Sequence, residues 1–346
     1  YMKYKYYDFS SNRSITEAKK ILTQRILDAS SIYKQYKSEF IKRNCPVCNS
    51  SDSKNVDYFY DMYGIDECKT CSSLFVNPCP NIEALSDYYQ NSLCNRQLSS
   101  VIKKRYDSDD FINDDRLVVI AESIKNIKNN TRTIKILEIG CNNGTFLSKL
   151  RQYCEQAYPD IEFELFGVDI DKTAINNSVD EKLNLFCGLA EDITKEHKDE
   201  YDLIVHFELI EHLINPRLFV KSIHNMLVKG GKMVFTTPNI CGLDNQALSY
   251  NNTRYLAHSI FPPPMHINAF SAMNITHFLI SNGFGINDIT TPGKFDIDML
   301  SKCVDNLQDD VFKDIALLDR ENKALIQQLM IHLNASSHMQ CVAFKK

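Results

Sequence analysis

The stretch Leu137–Leu147, LEIGCNNGTFL, preceded by Thr133-Ile134-Lys135-Ile136, constrains this chain more than any other. A short β-rich run, a glycine turn and residues able to start a helix are how an open α/β sheet builds a nucleotide site. Gly140 and Gly144 let the backbone turn tightly and approach a ligand with no Cβ in the way. Glu138, an acid at the mouth, would repel a pyrophosphate but suits a cationic ligand. The dinucleotide register G-x-G-x-x-G is absent, since no third glycine follows in phase. A second apolar run, Phe163 to Val168, ends in Asp169, whose carboxylate could accept both hydroxyls of a ribose. Beyond it the pattern predicts a helix over 171–179, strands over 183–187 and 202–207, a helix over 215–228 and a strand over 232–237. Alternation of this kind predicts an α/β fold with a doubly wound, parallel core.

The chain has 346 residues, long for one domain, and a net charge of −5 that supplies no electrostatic reason for a nucleic-acid partner. No run of about 18 apolar residues exists, and the start, residues 1–12, is polar and aromatic rather than signal-like. A cytosolic chain without membrane insertion is expected, and in that setting its 12 cysteines point to metal binding or ordinary burial before disulfides. Residues 14–43 lack Gly and Pro and carry Ile, Leu and Tyr at mostly helical intervals, which predicts one or two helices packed on the rest of the chain. Cys45-Pro-Val-Cys48 and Cys68-Lys-Thr-Cys71 then form two C-x-x-C knuckles nineteen residues apart. Knuckles so spaced can set four thiolates tetrahedrally around one Zn²⁺; free or redox-active cysteines are the competing reading. A closed four-thiolate site has no open coordination position, so its zinc would be structural. Cys79 lies outside both knuckles. The polar loop Asn126–Arg132 marks the boundary before the first strand of the sheet.

Taken together, the E-x-G-x-x-x-G turn, the GVDID strand end at 167–171, CGLAED at 187–192, HFELIEHL at 206–213 and LVKGGKMVFTTPN at 227–239 resemble class I S-adenosylmethionine-dependent methyltransferases. Asn142 departs from the glycine usual in that family, but Asn tolerates left-handed backbone better than most residues. The resemblance implies a Rossmann-like, mostly parallel seven-stranded sheet with an antiparallel strand near the C-terminus, here 336–344. Two helices, near 296–306 and 309–334, would precede that strand. The expected organisation is a helical segment at 1–43, a zinc ribbon at 44–80 and a helical linker or lid at 81–130. The methyltransferase domain would occupy 131–346, with a helical insertion near 294–334. The linker LFVNPCPNIEALSDYYQNS (74–92) is similar to that of zinc-bearing relatives acting on deoxysugars, often as nucleotide sugars.

Position by position, the resemblance places Glu138, Gly140 and Gly144 at the methionine end of the cofactor and Asp169 on the ribose. It puts Ile170 on the adenine face, Ala190 and Glu191 at the adenine edge, and His206 and Phe207 over the methionine moiety. Tyr88, Tyr89 and Tyr255 become candidates for the acceptor pocket, with His258 weaker. Glu208, Glu211 and His212 stand at i, i+3 and i+4, so on a helical turn all three would share a face. Such a set positions substrate or holds a second divalent cation, with His266 as a further ligand. His266 follows the proline-rich Phe261–Met265 and sits in a loop after the fifth strand, where it could take the acceptor's proton. Pro264-Met265 replaces the second acid–histidine pair of the sugar C-methylating relatives, so O-methylation is favoured. The expected reaction is methyl transfer to a sugar, nucleotide-linked or in a surface-glycan precursor. A metal-assisted O-methyltransferase of a quinone or phenol, and a zinc-ribbon binding module on an inactive cofactor fold, are the rivals. Oligomeric state is not legible.

Overall fold

The computed structural model describes residues 15–97, 111–127, 133–253 and 261–346. Tyr255 and His258, most of the boundary loop at 126–132 and the first 14 residues lie outside the described residues.

Seven strands form one sheet: β4 (Thr133–Ile139), β5 (Glu162–Asp169), β6 (Asn184–Cys187), β7 (Tyr201–Phe207), β8 (Leu227–Pro238), β10 (Phe284–Thr290) and β11 (His338–Lys345). Their order is β10-β11-β8-β7-β4-β5-β6, parallel from β8 to β6, with β11 antiparallel to both β8 and β10. Strand order reverses between β4 and β7, so their carboxyl ends open the crevice where such sheets bind ligands. Alternation builds both cores, because successive side chains leave a strand on opposite faces. Ile134, Ile136, Leu203, Val205 and Val234 pack under the helices Phe111–Ile127 and Thr145–Ala157. Leu137, Ile139, Ile204, Met233 and Phe235 face the helices Pro216–Met226 and Ala272–Ser281.

A second sheet is built from β1 (Ser53–Phe59), β2 (Tyr63–Cys68) and β3 (Leu74–Val76), antiparallel in sequence order. Its fourth strand, β9 (Asn268–Ala269), comes from 192 residues further along and pairs antiparallel with β3. The expected loop around His266 is therefore a loop only as far as Ile267; prolines at 262–264 hide a strand two residues long. The N-terminal segment is one helix, Ile15–Tyr36, followed by a 3-10 turn at Lys37–Glu39.

Several boundaries differ from the sequence-based expectation. The helix expected over 309–334 is two, Asp310–Leu317 and Arg320–His332. Asp319 ends one and starts the other, its carboxylate accepting from the N–H groups of Glu321 and Asn322. β8 begins at Leu227, ahead of the expected Lys232, because Gly230 at φ +78° carries the Lys-Gly-Gly turn within the strand. Helix Ala272–Ser281 and edge strand β10 are additions that the sequence pattern does not predict.

Candidate functional site

The turn between β4 and the helix Thr145–Ala157 is held on the end of β5. Gly140 N–H donates to Val168 O (2.8 Å) and Asn142 N–H to Asp169 Oδ2 (2.8 Å). Gly140 and Gly144 both have φ +80°, and Asn142 takes φ +52°, the left-handed conformation expected of it. At Gly144 the left-handed backbone favours glycine, and a Cβ would stand 2.7 Å from Leu183 Cδ1, which would have to move aside. Asp169 Oδ1 accepts the Asp171 N–H at 2.9 Å, which fixes the carboxylate at the rim. Beside it Ile170 is 62% exposed, an apolar side chain left uncovered next to a polar turn. Ala190 is turned into the core, leaving the half-buried Glu191 at that edge; burial raises the Glu191 carboxyl.

Glu138 is buried, and among the described residues its Oε2 has no hydrogen-bond partner. Burial pushes its pKa up to about 8, the charge of Asp169 adds to the rise, and the Arg116 guanidinium opposes it. Arg116 belongs to the helix Phe111–Ile127 and lies 4.1 Å from the centroid of the Phe207 ring, which also meets Phe146 edge-on at 5.1 Å. Sequence reasoning missed Arg116, which stands outside every motif. Phe207 and Glu138 share the sheet face that this helix covers.

His206 does not. Adjacent residues of a strand point to opposite faces, so His206 is 0% exposed, stacked on Phe235 (4.6 Å, 14°) and edge-on to Phe219 (5.1 Å). Burial lowers its pKa to about 3, a neutral core imidazole. The expectation that His206 covers the methionine moiety is corrected accordingly.

Glu208, Glu211 and His212 do not share a helical face either. Glu208 takes φ +50° and its Oε1 accepts from Thr236 Oγ1 at 2.7 Å, while its charge still acts on Glu211 and His212. A 3-10 turn, Ile210–His212, brings Glu211 and His212 to His266 instead. One donor atom from each of these three lies within 4.8 Å of the others. Glu211 is buried; its Oε2 accepts from Thr237 Oγ1 at 2.9 Å, while among the described residues Oε1 has no hydrogen bond. Burial first, and then the charge of Glu208, raises its pKa well above the carboxylate range.

His212 Nδ1 lies 2.8 Å from Met265 O. A carbonyl only accepts, so Nδ1 carries the proton and Nε2 keeps its lone pair. The Tyr89 hydroxyl closes the triangle, 2.9 Å from His212 Nδ1 and donating to Met265 O at 3.1 Å. Nε2 faces Glu211 Oε1 at 3.7 Å, and the His212 and His266 rings stand perpendicular with centroids 4.6 Å apart. Burial lowers the His212 pKa, keeping the ring neutral. Tyr89 is 37% exposed at this cluster, whereas Tyr88 is 1% exposed and packs with Ile32 and Ala84, so Tyr88 is not a pocket residue.

Cys45, Cys48, Cys68 and Cys71 converge at the end of the small sheet, with Sγ–Sγ distances of 3.5 Å (Cys45–Cys71) and 3.4 Å (Cys48–Cys68). Zinc–sulfur bonds of about 2.3 Å in a tetrahedron separate sulfurs by about 3.8 Å, so this all-sulfur donor set fits Zn²⁺ with a slight expansion. Cys79 lies apart, buried among Phe59, Tyr63 and Ile65.

Among known proteins, the chain is 26% identical over 187 residues to probable polyketide synthase 42 of Dictyostelium discoideum, covering 48% of this chain and 7% of that one. It is 27% identical over 131 residues to the ubiquinone biosynthesis O-methyltransferase of Rickettsia bellii, covering 37% of this chain and 52% of the relative. Thus the chain spans about half the length of that relative and a small part of the synthase. A S-adenosylmethionine-dependent methyltransferase from Archaeoglobus fulgidus superposes with a TM-score of 0.42 at 18% identity, over 67% of this chain and 94% of the other. A methyltransferase-domain family matches residues 113–288, half of the sequence and all of strands β4 to β8, and the chain belongs to that family.

Proposed function

We propose that this chain transfers the methyl group of S-adenosylmethionine to a hydroxyl of a sugar, either nucleotide-linked or in a glycan precursor. The observation that carries the reading is the pairing of two unlike half-sites at the β4–β7 crevice. One is an acidic, glycine-turned cradle; the other is a pair of imidazoles walled by a tyrosine. In the cradle, Glu138 faces the cationic end of the cofactor, Asp169 takes the ribose and Ile170 the adenine face. Arg116, poised over Phe207, pairs with the methionine carboxylate. Gly140 and Gly144 allow close backbone approach.

S-adenosylmethionine held in the cradle would supply an electrophilic methyl group and a neutral thioether leaving group, and an acceptor hydroxyl that took this methyl would have to give up its proton. The proton released passes to the His212–His266 side, where burial keeps the His212 imidazole neutral with a nitrogen lone pair to receive it. Tyr89 and Met265 O hold the tautomer that exposes Nε2. The sugar rests on the similarity of the zinc-bearing linker and its tyrosine to deoxysugar-modifying relatives. Four thiolates hold a structural zinc, which supplies no chemistry to the reaction.

The test is incubation of the protein with methyl-labelled S-adenosylmethionine and a panel of nucleotide sugars, with the label located by mass spectrometry. Label on a sugar oxygen supports the reading. Label on carbon corrects the acceptor atom, and cofactor binding without any labelled sugar shifts the acceptor class. No cofactor binding in calorimetry would leave a zinc-ribbon module on an inactive fold.

A second reading has its own observation. Glu211, His212 and His266 present a carboxylate oxygen and two imidazole nitrogens close enough to ligate one divalent cation. That set would serve O-methylation of a quinone- or phenol-like acceptor, the class of reaction for which the Rickettsia relative is named. Loss of turnover on mild chelation, with the four-thiolate zinc still bound, would favour it.

A further inference from the structure

We propose that Arg43 is a positioning residue of the acceptor side, transmitting the order of the Cys₄ knuckles to His266 and Glu211. The proposal rests on the placement of the acceptor residues above and asks what holds them there.

Arg43 sits two residues before Cys45, between the N-terminal helix and the first knuckle. Its guanidinium reaches three carbonyls on three separate segments: Nε donates to Val76 O (3.2 Å), Nη1 to Ile214 O (3.1 Å) and Nη2 to Ile267 O (2.7 Å). Val76 ends β3 of the small sheet, Ile214 follows the 3-10 turn that carries Glu211 and His212, and Ile267 follows His266. The same guanidinium lies 5.6 Å from the Phe75 ring centroid, and Arg43 N–H donates to Asn77 Oδ1. Among the described residues no carboxylate pairs with it. A guanidinium cannot lose its proton, and its planar fork of donors is what bridges diverging carbonyls.

Around this fork the backbone forms a relay. Val76 N–H donates to Ile267 O, and Ile267 N–H donates to Glu211 O, both at 2.9 Å. The Asn268 amide donates to Leu213 O at 2.8 Å and to Ile210 O at 3.3 Å. On the far side of the knuckles, Arg217 donates to Val47 O, inside the first C-x-x-C loop. Cys45, Val47, Cys68 and Phe75 share one buried cluster with Ile210, Phe219 and Phe270. The knuckles, β3, β9 and the 3-10 turn thus form one continuous packed body. The cofactor cradle at 138–145 shares that cluster through Ile139, but its turn is hydrogen-bonded to β5 and not to the carbonyls of this relay.

Variants Arg43→Met and Arg43→Lys in the full chain test it, with zinc content, hydrogen exchange, calorimetry and ¹⁵N-histidine spectra as readouts. Arg43→Met should retain one zinc per chain and bind S-adenosylhomocysteine within about 2-fold of the parent. Amide exchange should rise at least 10-fold across 265–269 and 211–214 and stay unchanged across 138–145, while the His212 and His266 ring resonances shift. Arg43→Lys, able to serve one carbonyl, should fall between the two. Removing zinc from the parent with a thiol-specific mercurial and chelator should raise exchange at the same two segments. Unchanged exchange at 265–269 in both Arg43→Met and the zinc-free parent would overturn the proposal. So would equal loosening of 138–145, or absence of zinc from the protein as purified. If Arg43→Met does not fold, exchange at 265–269 in Arg43→Lys and in the zinc-free parent decides the matter by the same criterion. Turnover enters none of these readouts, so a wrong acceptor leaves the test intact.

Discussion

At the scale of single residues, Glu138 and His212 set the pH behaviour. The Glu138 carboxyl titrates at about 8, so the free protein at pH 7 holds it mostly protonated. A cation beside it favours the carboxylate, so cofactor binding should release close to one proton at pH 7. Calorimetry in buffers of different ionisation enthalpy should register that release, and Glu138→Gln should abolish it. The sign for folding follows: a carboxyl whose folded pKa is raised is neutral in the fold at low pH. Its ionisation therefore subtracts stability as pH climbs from the unfolded value near 4.5 through 8. His212 shifts the other way. A base depressed by burial is unprotonated at neutral pH, so the acid limb of kcat/KM should fall below 6.5. His266→Ala should lower turnover by about 100-fold or more while sparing cofactor affinity, whereas Asp169→Ala should weaken cofactor binding. Glu138 and Asp169 stand out in the sequence because each is an acid at the carboxyl end of an apolar strand, Glu138 just before the glycine turn. Arg116 does not, since a single arginine on an amphipathic helix has no local signal; only the crossing of that helix over β7 brings it to Phe207.

At the scale of elements, two turns decide the site. In the cofactor turn, Gly144→Ala meets both left-handed backbone and Leu183, so we expect a loss of about 2 kcal/mol or more in a denaturant titration. In the acceptor turn, β9 is two residues long and owes its place to side chains. Asn268→Ala would withdraw an amide from the carbonyls of Ile210 and Leu213, costing about 1–3 kcal/mol and raising exchange of the Ile267 amide. The long helices and strands are legible because their apolar periods run over many residues. β9 is not: two residues carry no period, and prolines at 262–264 announce a loop. The E-x-x-E-H run misleads for a related reason, since i, i+3, i+4 spacing implies a shared face only on a helix. Here a left-handed Glu208 sends the first acid to Thr236.

At the scale of the whole molecule, the Cys₄ unit and the sheet share a buried cluster, so they should lose structure together. Zinc removal should lower the unfolding temperature by about 5 °C or more and leave a single transition rather than an isolated melting of the small sheet. Two separate transitions would show that β9 and Arg43 fail to couple them. Among the described residues no helix is long and apolar enough to cross a membrane, as the hydropathy of the sequence anticipates.

The strand–turn–helix periods, the two glycines and the spacing of four cysteines determine locally which segments become sheet, where the cofactor turn lies and which thiols meet. Each of these is written in residues close together in the chain. The acceptor side is different in kind. Tyr89, His212, Met265 and His266 meet only because β9 crosses to the small sheet and Arg43 gathers carbonyls 33, 171 and 224 residues away. No local pattern encodes such contacts, because they join segments far apart in the chain, just as the helix Pro216–Met226 closing on β8 buries His206 between Phe219 and Phe235.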